Sequence, residues 1–581
     1  TEWVKYTDQW SSSFISFIFY DRIIRTSFIN GASKTISIVV KAYFIQLCAI
    51  IMSKLCVAVI GCGASGLTAI KCCLDEGFEP VCFEQETYLG GMWKFTEESS
   101  TSSSVYRSTV INTSKEMMCF SDFPMPKEFP PFMHNTYVMK YLQLYAENFG
   151  LKKYISFGQK VLKVSKSADF DKSGKWLVTS KSAVGESDEN VESFDAVMVC
   201  TGHHWQPSWP AFKGMELFDG PQIHSHSYKD FKGYEGKTVL IVGIGNSGGD
   251  IAVELSRHAK QVYLSTRRGA WVFSRLADGG LPVDMSFNTR FFNCVPKMLA
   301  NPFMTSMCNK RFCHATFGLK PSHSAYSQHP MVNDALPNQI VTGALIVKPN
   351  VAQFTKSGVI FDDGSTVSNI DAVIFCTGYD MRFPYLEIEK DMLLKNEVKL
   401  FKYVFPPFLK KPTLAVIGNI QPIGAVNPIS ELQARLACRV FGRKVQLPDE
   451  ETMNTDISVT REAMKKRYYA TKRHTVQVDF IPYCDELAEM IGCKPNLMKL
   501  LLSDPLLALK CVFGPCTPPQ YRLMGPGSWD GAKQAIEKAH TNTIYATKTR
   551  ESKQSSSSST AVVTIIVAII SAIIAIVYLI N

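Results

Sequence analysis

The chain has 581 residues, 46% of them apolar and 20% charged, a composition that excludes a disordered protein and suffices for two or more cores. Its formal charge of +10 is spread along the chain, with no Lys/Arg tract interleaved with aromatics, so nucleic acid is not an expected partner. The 17 cysteines are odd in number and irregularly spaced; with no paired CxxC elements they predict no metal site and read as reduced thiols in a cytosol-facing protein.

Residues 1–51 precede Met52, which stands just before the strand-like run Leu55 to Ile60. The stretch Ile36 to Ile51 is apolar but interrupted by Lys41 and lacks a small-residue cleavage site, so residues 1–51 read as an upstream extension outside the fold. Val57 to Ile60 predicts a buried parallel strand running into Gly61-Cys62-Gly63-Ala64-Ser65-Gly66 and then a helix from Leu67 to Glu76. That is GxGxxG in its required setting: Gly61 for a tight turn, Gly63 for close approach to a pyrophosphate, Gly66 for helix–strand packing, and a helix N-terminus facing the negative charge. The next strand, Pro80 to Phe83, ends in Glu84, placed to accept hydrogen bonds from ribose hydroxyls. The second glycine pair in Gly90-Gly91-Met92-Trp93 favours FAD over NAD as the dinucleotide.

A second unit follows, with a strand from Thr238 to Val242, the turn Gly243-Ile244-Gly245-Asn246-Ser247-Gly248 and a helix from Gly249 to about His258. Its second strand, Gln261 to Ser265, ends in Thr266-Arg267-Arg268, where the first unit has an acid. Cations there suit a 2′-phosphate, which predicts NADPH as the second cofactor, with Arg267 the better candidate of the two arginines.

Between the two units lies Phe218-x-Gly220-x-x-x-His224-Ser225-x-x-Tyr228-Lys229, which resembles the identifying motif of the flavin-containing monooxygenases. Baeyer–Villiger relatives end this motif in Trp-Pro, so the nitrogen- and sulfur-oxidising branch is the nearer resemblance. It extends through Asn112-Thr113-Ser114-Lys115-Glu116-Met117, Cys200-Thr201-Gly202-His203-His204, Phe317-Gly318-Leu319-Lys320-Pro321, Gln328-His329-Pro330 and Cys376-Thr377-Gly378-Tyr379. Cys62 and Cys376 stand where the family often has Ala, and His226 where Arg is common. Position by position, the resemblance implies FAD contacts at Gly61, Cys62, Gly63, Ala64, Ser65, Gly66, Glu84, Met92, Trp93, Asn112 and Thr113. It implies NADP contacts at Asn112, Ser247, Gly248, Gly249, Asp250 and Arg267.

The motif order predicts an α/β protein with two Rossmann-like dinucleotide-binding domains: an FAD domain over 52–205, an inserted NADPH domain over 206–369, and a return over 370–545 with a helical C-terminal region. Val373 to Phe375 is read as a strand of the return, and Thr377-Gly378 either brings backbone to the flavin or is a purely structural turn. A linker over 546–560, partly serine-rich, leads to Ala561 to Ile580, twenty uncharged residues, enough to span a bilayer core of ~30 Å at ~1.5 Å per residue. Lys548, Arg550 and Lys553 favour a cytosolic flank; the expected location is the endoplasmic reticulum membrane with the bulk of the chain in the cytosol. Whether the chain forms a homo-oligomer is left open.

The chemistry implied is N- or S-oxygenation of soft nucleophilic xenobiotics and metabolites, using NADPH, O₂ and a C4a-hydroperoxyflavin. Asn112 is the catalytic candidate, because a neutral amide donates and accepts hydrogen bonds without changing charge; the alternative is a helix cap ahead of Ser114-Lys115-Glu116. His224 is read as linking or orienting. An NADPH oxidase releasing hydrogen peroxide and a catalytically silent FAD/NADPH-binding redox sensor remain alternatives. A disulfide reductase is disfavoured: the CxxxxC pairs Cys308/Cys313 and Cys511/Cys516 lie far from the first unit, and Cys72 and Cys73 face different sides of a helix.

Overall fold

In the computed structural model, which describes residues 54–550 apart from 98–102, 186–187, 395–396 and 469–474, two five-stranded parallel sheets organise the chain. The segments 1–51 and 561–580 lie outside the described residues; among those described, no helix is long and apolar enough to cross a membrane. The first sheet starts with β1 (Cys56–Ile60), crosses over through α1 (Ala64–Asp75) to β2 (Glu79–Glu84), and continues with β3 (Ile155–Phe157) and β4 (Ala196–Val199). Val57, Ala58 and Val59 are fully buried, as a strand must be when helices cover both faces of its sheet. The chain then leaves this sheet through the short β5 (Gln206–Pro207).

The second sheet is built from β6 (Gln222–His224), β7 (Thr238–Val242), β8 (Gln261–Ser265), β9 (Leu345–Lys348) and β10 (Ala372–Phe375), with α2 (Asn246–Leu255) connecting β7 to β8. Its strand order is β9-β8-β7-β10-β6. The chain returns through β11 (Tyr379–Asp380), which pairs antiparallel with β5, and β12 (Leu414–Val416) then closes the first sheet beside β4. The first-sheet order is therefore β12-β4-β1-β2-β3. Both units carry a three-stranded antiparallel meander just before an interior parallel strand: Gln159–Lys166, Trp176–Ser182 and Asn190–Phe194 before β4, and Val351–Thr355, Gly358–Phe361 and Thr366–Ser368 before β10. The helix α3 (Val426–Phe441) packs on α1, with Cys438 Sγ 3.8 Å from Cys73 Sγ.

Two expectations are corrected. The return does not begin at residue 370: Val373 to Phe375 pair with β7 in the second sheet, and the first sheet is rejoined only at Leu414. A short buried apolar run fits an interior parallel position in either sheet, so its pattern cannot assign it. The second turn's helix begins at Asn246, not Gly249, and ends at Leu255; glycines that disfavour a helix by propensity are held in its first turn by packing.

Candidate functional site

The first glycine turn sits at the carboxyl end of β1. A side chain on Gly61, which has φ +94°, would lie 2.9 Å from the Cys200 carbonyl oxygen, and one on Gly66 only 1.9 Å from that of Gly61. The second glycine pair rests on this turn: Gly90 N–H donates to the Cys62 carbonyl at 2.9 Å, and a side chain on Gly91 would be 3.1 Å from Gly63 Cα. The Cys62 N–H donates to Glu84 Oε2 at 2.7 Å and the Glu86 N–H to Oε1 at 2.9 Å. Burial pushes the Glu84 carboxyl up, partly offset by these backbone bonds. Each oxygen can accept a further bond. α1 starts without a side-chain cap, leaving its first-turn N–H groups for an anion. Ala64 and Ser65 lie in that first turn, Met92 is 37% exposed, and Trp93 packs against the first core.

Sequence reasoning missed the other wall of this cradle. Beyond β12, Gly418 adopts φ +76°, and a side chain there would meet Ser65 Oγ at 2.2 Å. Ser65 Oγ lies 3.0 Å from Ser430 Oγ at the start of α3. Next to Gly418, Asn419 is 1% exposed, yet neither Oδ1 nor Nδ2 has a partner; Asn427 Nδ2 is equally orphaned. Buried amides are almost always hydrogen-bonded, so unpartnered ones beside a pyrophosphate-type turn fit a polar cofactor. The available signal was an apolar run, Leu414 to Ile417, ending in Gly-Asn.

The second turn repeats the plan. Gly243, at φ +109°, packs on the Cys376 carbonyl as Gly61 packs on that of Cys200. Gly248 and Gly249 are packing glycines: their side chains would meet Gly243 O at 2.0 Å and Met331 Cε at 1.9 Å, whereas Gly245 has open space around it. α2 also starts without a side-chain cap, Ser247 is half-buried in its first turn, and Arg267 is exposed just beyond β8. Asp250 is less available than the resemblance implies. Its oxygens accept from Tyr106 Oη at 2.7 Å and Asn333 Nδ2 at 2.9 Å, so it fastens the 103–112 segment to the second domain. The Thr377-Gly378 turn binds the chain crossing, with Thr377 Oγ1 donating to Ser208 O at 2.7 Å and Ser208 N–H to Gly378 O at 2.9 Å.

Asn112 lies at the seam between the domains. The helix Lys115–Met118 is preceded by Ser114 as its N-cap residue, which removes the capping role for Asn112. Ser114 donates through N–H and Oγ to Asp284 Oδ2 at 2.7 and 2.9 Å. Asn112 Oδ1 instead accepts from Arg275 Nη2 at 2.7 Å, and Thr113 beside it is half-buried. The segment before Asn112 is clasped by the motif region: Arg107 N–H donates to Lys229 O at 2.8 Å, Lys229 Nζ to Ser104 Oγ at 3.0 Å, and the Tyr106 and Tyr228 rings lie 6.0 Å apart. His224 ends β6, its Nδ1 accepting the His226 N–H at 3.1 Å, 5.3 Å ring to ring from Tyr379. Burial pushes the neighbouring His204 down to about 4, so it is neutral near pH 7.

Residues 54–581 match the family described as Flavin-binding monooxygenase-like. Flavin-containing monooxygenase 5 of Cavia porcellus is 50% identical over 511 residues, covering 87% of this chain and 95% of that protein. Dimethylaniline monooxygenase 2 of the same species, described as N-oxide-forming, is 46% identical over 504 residues, covering 86% and 94%. Among solved structures, the S-allyl-L-cysteine S-oxygenase of Allium sativum shares the fold, with a TM-score of 0.59 and 23% identity over 84% of this chain and 99% of that one.

Proposed function

Because the chain belongs to the flavin-containing monooxygenase family, flavoprotein oxidoreductases that use FAD and NADPH, we propose that it inserts one oxygen atom from O₂ into soft nitrogen or sulfur nucleophiles. The observation that carries this reading is the position of Asn112, on a loop held by the second domain, its amide oxygen already bonded to Arg275. The names of an N-oxide-forming relative and of an S-oxygenase with the same fold support both substrate classes.

In this reading Glu84 receives the ribose of FAD, the N-terminus of α1 its pyrophosphate, and the Asn419 and Asn427 amides its remaining polar groups. The open face at Gly245, the N-terminus of α2 and Arg267 receive NADPH. Bound FAD supplies the redox and oxygen chemistry; the chain orients the two cofactors, presents the Asn112 amide and limits access of water. The test uses the FAD-loaded protein with NADPH, ¹⁸O₂ and either N,N-dimethylaniline or an aryl methyl sulfide. Labelled N-oxide or sulfoxide formed at close to one per NADPH supports the proposal. NADPH consumption matched by hydrogen peroxide with no product would make the chain an oxidase, and no NADPH consumption would make it a sensor.

The second part of the proposal is attachment to the cytosolic face of the endoplasmic reticulum membrane. Besides the apolar run 561–580, the helices Lys297–Arg311, Leu497–Ser503 and Pro505–Phe513 expose Met298, Leu502 and Leu506 by 80%, 85% and 73%. The exposed Phe291 ring lies 5.2 Å from that of Phe513, at the end of Pro505–Phe513. The helix Ala532–Thr543 packs on Pro505–Phe513 through Ile536. Apolar side chains flanked by exposed Lys499 and Lys510 suit an anionic bilayer surface. A chain ending at residue 550 should still sediment with vesicles containing phosphatidylserine, and Leu502→Asp with Leu506→Asp should abolish this; sedimentation unaffected by those substitutions would rule out the face.

A further inference from the structure

We propose that Arg275 is the positioning residue that fixes which end of the Asn112 amide faces the reaction. Arg275 follows the short strand Val272–Phe273 of the second domain, and its side chain is only 14% exposed. Its guanidinium reaches across the seam to three consecutive residues of the first domain. Nε donates to the Ile111 carbonyl at 3.1 Å, and Nη2 to the Val110 carbonyl at 3.4 Å and to Asn112 Oδ1 at 2.7 Å. The opposite edge is held from behind, with Nη1 donating to Asp334 Oδ2 at 2.8 Å. Asp334 is itself fixed, its Oδ1 accepting from the Arg275 N–H at 3.0 Å and from Ser274 Oγ at 2.9 Å.

A carboxamide has two nearly isosteric ends of opposite hydrogen-bonding character, and a half-exposed one can turn over at small cost. A guanidinium carries donors and no acceptor. The end of Asn112 facing Arg275 must therefore be Oδ1, and Nδ2 is turned away from it as a donor. Because the same fork holds the carbonyls of residues 110 and 111, the amide and its loop move together, and both follow the second domain. The bond thus ties the presentation of a donor to the seating of the domain read as binding NADPH. A lysine could restore the charge but not a planar fork reaching four acceptors.

This inference rests on Asn112 contacting the reacting groups, and the experiment separates the two claims. Asn112→Ala, Asn112→Asp, Arg275→Lys and the double variant Asn112→Ala/Arg275→Lys are prepared as FAD-loaded full chains. Product formed per NADPH, kcat, KM for NADPH, the Kd of NADP⁺ and the melting temperature are measured for each. Arg275→Lys should lower kcat and product yield about 10- to 100-fold with hydrogen peroxide rising in step, up to the scale set by misplacing one preorganised group by about 1 Å. KM for NADPH and the Kd of NADP⁺ should move less than about threefold, within the usual effect of losing one remote contact. Asn112→Asp keeps an acceptor for Arg275 but loses the donor, so it should uncouple as Asn112→Ala does while melting near the parent. The double variant should be no worse than Asn112→Ala alone.

If Asn112→Ala leaves coupling unchanged, the catalytic reading of Asn112 fails. If Asn112→Ala uncouples but Arg275→Lys does not, or the two effects multiply, Arg275 has no positioning role and the reading of Asn112 stands. A fall in melting temperature and flavin content with intact coupling would make Arg275 purely structural. Should Arg275→Lys fail to load flavin, Asp334→Asn, which weakens the support behind the fork, should show the same uncoupling in milder form, and its absence would overturn the proposal.

Discussion

Replacing Asn419 by leucine should move two properties in opposite directions. Its amide is 1% exposed with no partner on either polar atom, and an unsatisfied buried polar group costs about 1–3 kcal/mol. Leucine keeps the same branched skeleton of four heavy atoms, is somewhat bulkier and carries no such cost, so where the site takes that bulk the flavin-free Asn419→Leu protein should unfold at an equal or higher urea concentration than its parent. If the amide is completed by FAD, the substitution removes that gain and weakens FAD binding by about 10- to 100-fold, equivalent to roughly 1.4–3 kcal/mol. The assay is FAD titration of the deflavinated protein, followed by flavin fluorescence, beside urea unfolding with and without FAD. A variant destabilised equally in both states, with unchanged FAD affinity, would show that the amide is paired within the protein and would refute the assignment.

Arg267→Gln should raise KM for NADPH about 10- to 100-fold, the worth of a hydrogen bond to a charged group, while KM for NADH stays level; equal losses for both would dissociate Arg267 from the 2′-phosphate. Arg522 is 3% exposed and meets Glu431, itself 1% exposed, at 2.5 Å and Asp122 at 3.0 Å, so Arg522→Met should cost about 3–5 kcal/mol by stranding buried charge. At ~2.1 cal/mol/K per residue a chain of this size should lose roughly 3–5 °C, and a melting temperature within about 1 °C of the parent would contradict this. Burial pushes the Asp284 carboxyl up to about 6, against its bonds from Ser114. Between its ordinary value near 3.8 and about 6 the folded protein holds a proton that the unfolded chain has released. Stability from this group is therefore full below that window and lost as pH rises through it. Asp284→Asn should flatten the fall in urea midpoint over this range, and an unaltered slope would show that Asp284 ionises freely.

What was legible in the sequence was what neighbouring residues determine. The strand runs at residues 57–60, 238–242 and 261–265, both glycine turns and the acid closing β2 follow from spacing alone, because each motif is a single strand–turn–helix unit. The rest depends on partners far along the chain. Nothing near Val373 tells which sheet it joins, since Val239 pairs with Ala372 across the whole second domain. The resemblance implies a cofactor contact at Asp250, yet Tyr106 and Asn333, from different segments, occupy its oxygens. Asn419 and Arg275 are single polar residues with no periodic signature; their surroundings exist only once the sheets are assembled.

The closure of the first sheet by β12 has a consequence for synthesis. Leu414 pairs with Val197, so β4 emerges from the ribosome roughly 200 residues before its outer neighbour, an interval of about 10–40 s at ~5–20 residues per second. During that time the intervening domain already has all five strands of its own sheet and can fold on the nascent chain. The host sheet meanwhile waits with an unpaired, wholly apolar edge, Ala196 to Val199, open to other chains. Nascent-chain protection of that edge, and not the final fold's stability, would then set the yield of protein at high expression rates.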